Sequence, residues 1–254
     1  MGEFFKWEYV VTLFPKVLSA LPTTLLIVLF ATLIGSFLGF ILAYFRIERI
    51  PVLHQLSAIY VSFIRGTPIL VQMFIVFYGL PGVLATIGLD ISMWNKLIFL
   101  YITYGLNTAA YFSEIYRSAL SSVPLSQYEA AASIGMTKWQ IYRRTLIPQA
   151  GKSALPNIGV AIVNLLQNTS LAFTLGVMDI IGKVQTLGAL YYRVLEGYFI
   201  AAVIFIVLSL LLEKAFDLLE KRVSTPKTRK QRQTTFISLK RADTAFTTLE
   251  KRAK

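Results

Sequence analysis

Residues 22–45 run for 24 positions without a charged side chain. A helix of that length, rising ~1.5 Å per residue, reaches ~36 Å and crosses a hydrocarbon layer about 30 Å thick. Further apolar runs stand at 68–86, 97–115, 155–177 and 198–212, the second containing Gly79-Leu80-Pro81-Gly82. They are continuous instead of striped at 3.6-residue spacing. Lipid offers no partner to an open backbone N–H or C=O, so such runs cross as helices. They are too long and too little alternating for barrel strands. The expected fold is an all-α membrane protein of about five transmembrane helices.

Composition agrees, with 56% hydrophobic and only 15% charged residues. A soluble domain of this size needs a larger polar shell. There is no cysteine and one histidine, His54, so no disulfide framework or thiolate metal site is expected, and no metal or other cofactor. The start, Met1-Gly2-Glu3-Phe4-Phe5-Lys6, lacks a basic leader feeding directly into an apolar core, so the first run is expected to insert and stay.

Net charge is +12, which in a soluble protein would suggest nucleic acid. In a membrane protein it reports sidedness, because Lys and Arg stay on the cytoplasmic side. Segments after the first, third and fifth runs hold Arg46, Arg49 and Arg65, then Arg117, Lys138, Arg143, Arg144 and Lys152, then twelve cations from Lys214 to Lys254, twenty in all. The other side holds five: Lys6, Lys16, Lys96, Lys183 and Arg193. The bias places the N-terminus outside, the C-terminus inside, and no nucleic acid among the partners. Residues 1–223 read as one membrane domain and 224–254 as a basic cytoplasmic tail. The tail carries Phe236, Leu239, Ala242, Phe246 and Leu249 at helical spacing, and is disordered or peripheral on anionic lipid.

Residues 121–151 form a long polar segment between the third and fourth runs. Its centre is Tyr128-Glu129-Ala130-Ala131-Ala132-Ser133-Ile134-Gly135-Met136-Thr137-Lys138-Trp139-Gln140-Ile141. Alanines favour helix, Glu129 near a helix start suits the dipole, and Gly135 permits a bend between two short helices. Met136, Trp139, Ile141 and Tyr142 supply apolar groups, and Pro148 is expected to end the following helical stretch. The physical reading is a helix on the cytoplasmic face with a surface for a partner; an ordinary amphipathic loop helix remains the alternative.

This segment resembles the EAA loop of ABC importer permeases: Glu-Ala-Ala, three residues, Gly, nine residues, then Ile-x-Leu-Pro. Glu129, Ala130, Ala131, Gly135 and Pro148 match at that spacing, while Thr145 and Ile147 replace the Ile and Leu. Arg65-Gly66-Thr67-Pro68 with Ile69-Leu70-Val71-Gln72, and Asn107-Thr108-Ala109-Ala110-Tyr111-Phe112-Ser113-Glu114-Ile115-Tyr116-Arg117, are similar to the polar amino acid branch. So are Ser122-Val123-Pro124 with Gln127, Pro148-Gln149-Ala150 and Asn168-Thr169-Ser170-Leu171. Ser118 and Ser126 stand where that family has glycine. The stretch from Ser170 to Asp179 leans toward permeases for cystine and related sulfur amino acids. The resemblance covers roughly residues 21–221 and implies a bacterial cell-membrane permease, not itself an enzyme. Its implied partners are a pair of ATPase subunits docking on the loop, an extracellular solute-binding protein, a second permease subunit, identical or homologous, and membrane lipid.

Within the runs, polar residues are costly and face other helices or a wet path. Gln72, Asn107, Glu114, Asn157, Asn164, Gln167, Asn168 and Thr169 qualify. Asn157, Asn164 and Asn168 share a helical stripe, and with Gln72 and Asn107 they are the candidate substrate path; interhelical hydrogen bonding is the alternative. Glu114 and Arg117 read as interface anchors. Gly35 and Gly39 form G-x-x-x-G, which suits close helix contact or is incidental. Gly151-Lys152-Ser153 resembles the end of a P-loop, but Leu146 occupies the position of its first glycine, so ATP hydrolysis belongs to a separate subunit. Two rivals to the importer are a secondary transporter, which predicts inverted repeats and embedded acids, and a scaffold that transports nothing.

Overall fold

The structure, a computed structural model, describes residues 5–223; the amphipathic tail pattern from Phe236 lies outside them. The chain divides into two compact units, Met1–Phe216 and Asp217–Lys254. The packing below concerns the first. The described residues are helical, without strands: α1 Trp7–Leu18, α2 Leu21–Ile47, α3 Leu53–Gly66, α4 Ile69–Phe74, α5 Leu80–Ala85, α6 Lys96–Ser121, α7 Leu125–Ser133, α8 Lys138–Ile141, α9 Ile147–Asn168, α10 Ile180–Tyr191 and α11 Val194–Val223. Wide π turns join α4 to α5 (Ile75–Gly79) and α8 to α9 (Tyr142–Leu146), and a 3₁₀ segment, Thr169–Leu175, follows α9.

Leu21–Ile47, Lys138–Leu175 and Val194–Val223 are long and apolar enough to cross a membrane. Leu53–Gly66 with Ile69–Ala85 qualifies as a fourth span only as a pair bent by 112°. The bend falls at Thr67-Pro68, where Pro68 is extended (φ −62°, ψ 137°) and heads α4; a residue before proline is pushed out of the helical region, and Thr67 is extended too. α6 has the length, 26 residues, but its polar groups dilute its hydropathy. They are tolerated because that helix is enclosed by protein: Thr103, Asn107, Thr108 and Ser113 are buried in it.

The central pair is α2 and α6. A Cβ on Gly35 would stand 2.5 Å from Thr108 Cγ2, and one on Gly39 would stand 2.9 Å from Phe112 Cβ. In return Ile34 fills the space a side chain at Gly105 would need, 2.7 Å away. The G-x-x-x-G pattern is therefore an interhelical seam, where backbones approach closely and dispersion replaces the hydrophobic drive that lipid cannot supply. Around it Ile27, Ala31, Met73, Leu100, Tyr104, Leu166 and Ala172 form the main core. A second layer joins α1, α10 and α11 through Leu13, Val17, Ile180, Val184, Ile200 and Ala201. The opposite faces of α2 and α11 expose Leu29, Leu33, Phe37, Phe40, Ile206 and Leu210, as lipid-facing surfaces do.

Three expectations change. α1, α3 and α10 were not expected as helices. Glu129 stands in the middle of α7, whose first residue is Leu125, so it cannot serve the dipole at the helix start. Pro148 does not end a helix. It occupies the first turn of α9, and the wide π turn before it accommodates the ring and the missing N–H, so the run Lys138–Leu175 continues unbroken.

Candidate functional site

The EAA-like segment folds as an elbow. Pro124 opens α7, and Gly135 at φ +80° turns the chain out of it, a conformation that costs any residue with a Cβ. Thr137 then starts α8 with a capping box: the Gln140 N–H reaches Thr137 Oγ1 at 3.4 Å, and the Thr137 N–H reaches Gln140 Oε1 at 2.9 Å. The apolar groups divide. Ala131 and Ile141 point inward, whereas Ile134 and Trp139 are 77% and 68% exposed. Glu129, Ala130, Gly135 and Pro148 lie on the exposed surface. The elbow thus offers an apolar knuckle around an exposed glycine turn.

A second feature sits farther along the same helical run. Asn157, Val160, Ala161, Asn164, Gln167 and Asn168 of α9 face Asn107, Thr108, Tyr111 and Ile115 of α6 across a cleft of about 500 Å³. No acid or base lines it. Asn157, Val160, Asn164, Gln167 and Asn168 are exposed on its open side. Among the described residues, the side-chain amides of Asn157, Asn164, Gln167 and Asn168 bond to no neighbouring group, so interhelical hydrogen bonding does not account for them. Four of the five candidate path residues, Asn107, Asn157, Asn164 and Asn168, meet in this cleft.

Gln72 does not line it. Its Nε2 donates to the Ile64 carbonyl at 2.7 Å and to Thr67 Oγ1 at 2.8 Å, and its Oε1 accepts from Asn107 Nδ2 at 2.9 Å. Gln72 therefore secures the 112° bend and holds Asn107 from behind. Thr108, Tyr111 and Gln167 were absent from the candidate path. Tyr111 follows Asn107 by four residues on one helical face, a signal available in the sequence.

The C-terminal parts of α2 and α6 are tied by charge. Glu114 accepts from Arg46 at 2.7 Å and from Arg117. Glu114 thus ties two helices to each other within the protein. Gly151-Lys152-Ser153 lies inside α9, not in a loop that could wrap a phosphate.

A family profile described as "Binding-protein-dependent transport system inner membrane component" matches residues 35–225. The chain belongs to this family. As an inner membrane component it is a transporter subunit and not an enzyme. It is 43% identical over 222 residues to the probable amino-acid permease protein YxeN of Bacillus subtilis, covering 87% of this chain and 96% of that one. To the L-cystine transport system permease protein TcyL of the same organism it is 42% identical over 215 residues, covering 85% and 90%. A solved chain from an amino acid ABC transporter with histidines superposes with a TM-score of 0.77 at 30% identity, covering 87% of this chain and all of that one. A chain of the MetNI methionine ABC transporter shares the fold at 19% identity and a TM-score of 0.63. In this inner membrane component, elbow and cleft lie on one helical run.

Proposed function

We propose that the chain is the permease subunit of an ATP-driven importer for a polar amino acid, with L-cystine the first substrate to test. The observation that carries this is the continuity of Lys138–Leu175: the elbow stands at one end and the amide stripe at the other, ~40 Å apart at ~1.5 Å per residue. Motion imposed on the elbow is thereby delivered to the wall of the cleft. In this reading Glu129, Ala130, Ala131, Gly135 and Pro148 shape the docking surface for an ATPase subunit. Asn107, Asn157, Asn164 and Asn168 present neutral donors and acceptors to a zwitterion.

The open side of the cleft is closed by a second permease subunit, and an external binding protein supplies the substrate. The chain crosses the membrane five times, by α2, the bent α3–α5 pair, α6, α9 and α11, with the N-terminus outside and the elbow in the cytosol, the side toward which the Lys and Arg bias of the sequence points. ATP binding drives transport only by favouring one conformation over another. Support for cystine is that TcyL and TcyB of Bacillus subtilis, both L-cystine permease proteins by name, are 42% and 33% identical to it.

Uptake of labelled L-cystine, L-glutamine and L-arginine into proteoliposomes, with and without the ATPase subunit, tests the proposal. ATP-dependent uptake that Gly135→Asp abolishes is expected. Uptake by the permease alone, or uptake unchanged by Gly135→Asp, overturns it.

A further inference from the structure

The helical run from the elbow to the cleft contains an irregular place, the π turn Tyr142–Leu146, and a second connection bypasses it. Lys138 and Tyr142 lie one turn apart on the same face and grip a single carboxylate from outside that run. Lys138 donates to Glu48 Oε2, and the Tyr142 hydroxyl donates to Oε1 at 2.9 Å. Glu48 is the C-cap of α2, and its side chain is only 15% exposed. We propose that Glu48 is the strut through which movement of the coupling elbow is passed directly to α2, and from α2 to α6.

Two further observations support this. Only two residues at the end of α2 separate the strut from the next tie, Arg46 on Glu114 of α6. The backbone just after Glu48 is strained: Arg49 stands at φ 50° and Val52 at φ 66°, a true outlier for a β-branched side chain. Such conformations persist where surrounding contacts over-determine them, and His54 Nδ1 against the Arg46 carbonyl at 3.2 Å is one such contact. The pair is more than a surface ornament, because an isolated exposed ion pair is worth little whereas this carboxylate has two partners and little solvent. Its pKa is lowered, first by the Lys138 bond.

The strut rests on the importer reading, and Glu48 acts as a positioning residue, without touching substrate. The test is uptake and ATP hydrolysis, measured together in proteoliposomes of the permease–ATPase complex, using whichever of the three labelled amino acids the wild type transports best. Glu48→Gln and Glu48→Ala should retain the ATPase subunit on purification yet import less per ATP hydrolysed, by between about two-fold and about thirty-fold. Glu48→Lys alone should be worse, and Glu48→Lys with Lys138→Glu should recover the wild-type ratio, as a double-mutant cycle requires of directly coupled groups. An unchanged ratio in the Glu48 variants, or no recovery in the exchanged pair, overturns the strut and leaves the importer standing. A wild-type complex without ATP-dependent uptake overturns both.

Discussion

At Gly135 the backbone is left-handed, φ +80°, with nothing within 4 Å of a Cβ built there. Space is therefore free, and for an uncharged side chain the restriction is conformational; Gly135→Asp in addition puts a charge on the proposed docking surface. Asn tolerates this region far better than a β-branched residue does. Gly135→Asn should keep most ATP-dependent uptake, while Gly135→Val should distort the elbow at a cost of about 1–2 kcal/mol and lose ATPase co-purification. Equal behaviour of the two variants would show that the turn does not need its geometry. Asp179 offers a different residue-scale test. It is fully buried; Oδ1 caps α10 by accepting from the Gly182 N–H at 2.7 Å, and Oδ2 has no partner among the described residues. Burial pushes its carboxyl up to about 6. A folded-state value above the unfolded one means the folded state holds the proton more tightly, so stability falls as pH rises from about 4 through about 6. Asp179→Asn keeps the cap oxygen and cannot ionise. Between those pH values its melting temperature in detergent should fall less, or rise more, than that of the wild type; parallel slopes would discard the assignment.

At the scale of elements, α2 and α6 define the molecule, and their seam is specified by what is missing from Gly35, Gly39 and Gly105. Gly35→Ala puts a carbon 2.5 Å from Thr108 Cγ2, so overpacking should cost about 1–3 kcal/mol and lower the melting temperature. Gly151→Ala, in the first turns of α9 with open space around it, should be neutral or stabilising by up to about 1 kcal/mol. If both behave alike, the seam is not a close contact. The glycine pattern was visible in the sequence, but its partner was not, since nothing in residues 35–39 names Thr108. The long apolar runs were equally legible, because hydropathy integrates over twenty positions. α1 and α3 escaped notice for the opposite reason: at 12 and 14 residues, with polar groups on one side, they resemble loops. The amide stripe could be read from spacing within one helix. Glu48 could not, because its partner Lys138 lies 90 positions away.

On the scale of the whole molecule, the cleft lies between α6 and α9 with one side open, and its chemistry is neutral. Asn164→Leu should raise the substrate concentration needed for half-maximal uptake without reducing ATPase co-purification; loss of assembly instead would make Asn164 part of a subunit contact. Sidedness is open to direct measurement because the chain has no cysteine. A single Met93→Cys should react with an impermeant maleimide added outside intact cells, and Ser126→Cys only after the membrane is opened; the reverse pattern would invert the topology. The seam between α2 and α6 carries a last consequence. Thr108 of α6 is pressed against Gly35 and, beside Asn107 and Tyr111, also forms part of the wall of the cleft. A joint with so little padding has little backlash, so a tug on one rod is felt by the other with few loose side chains between them to absorb it.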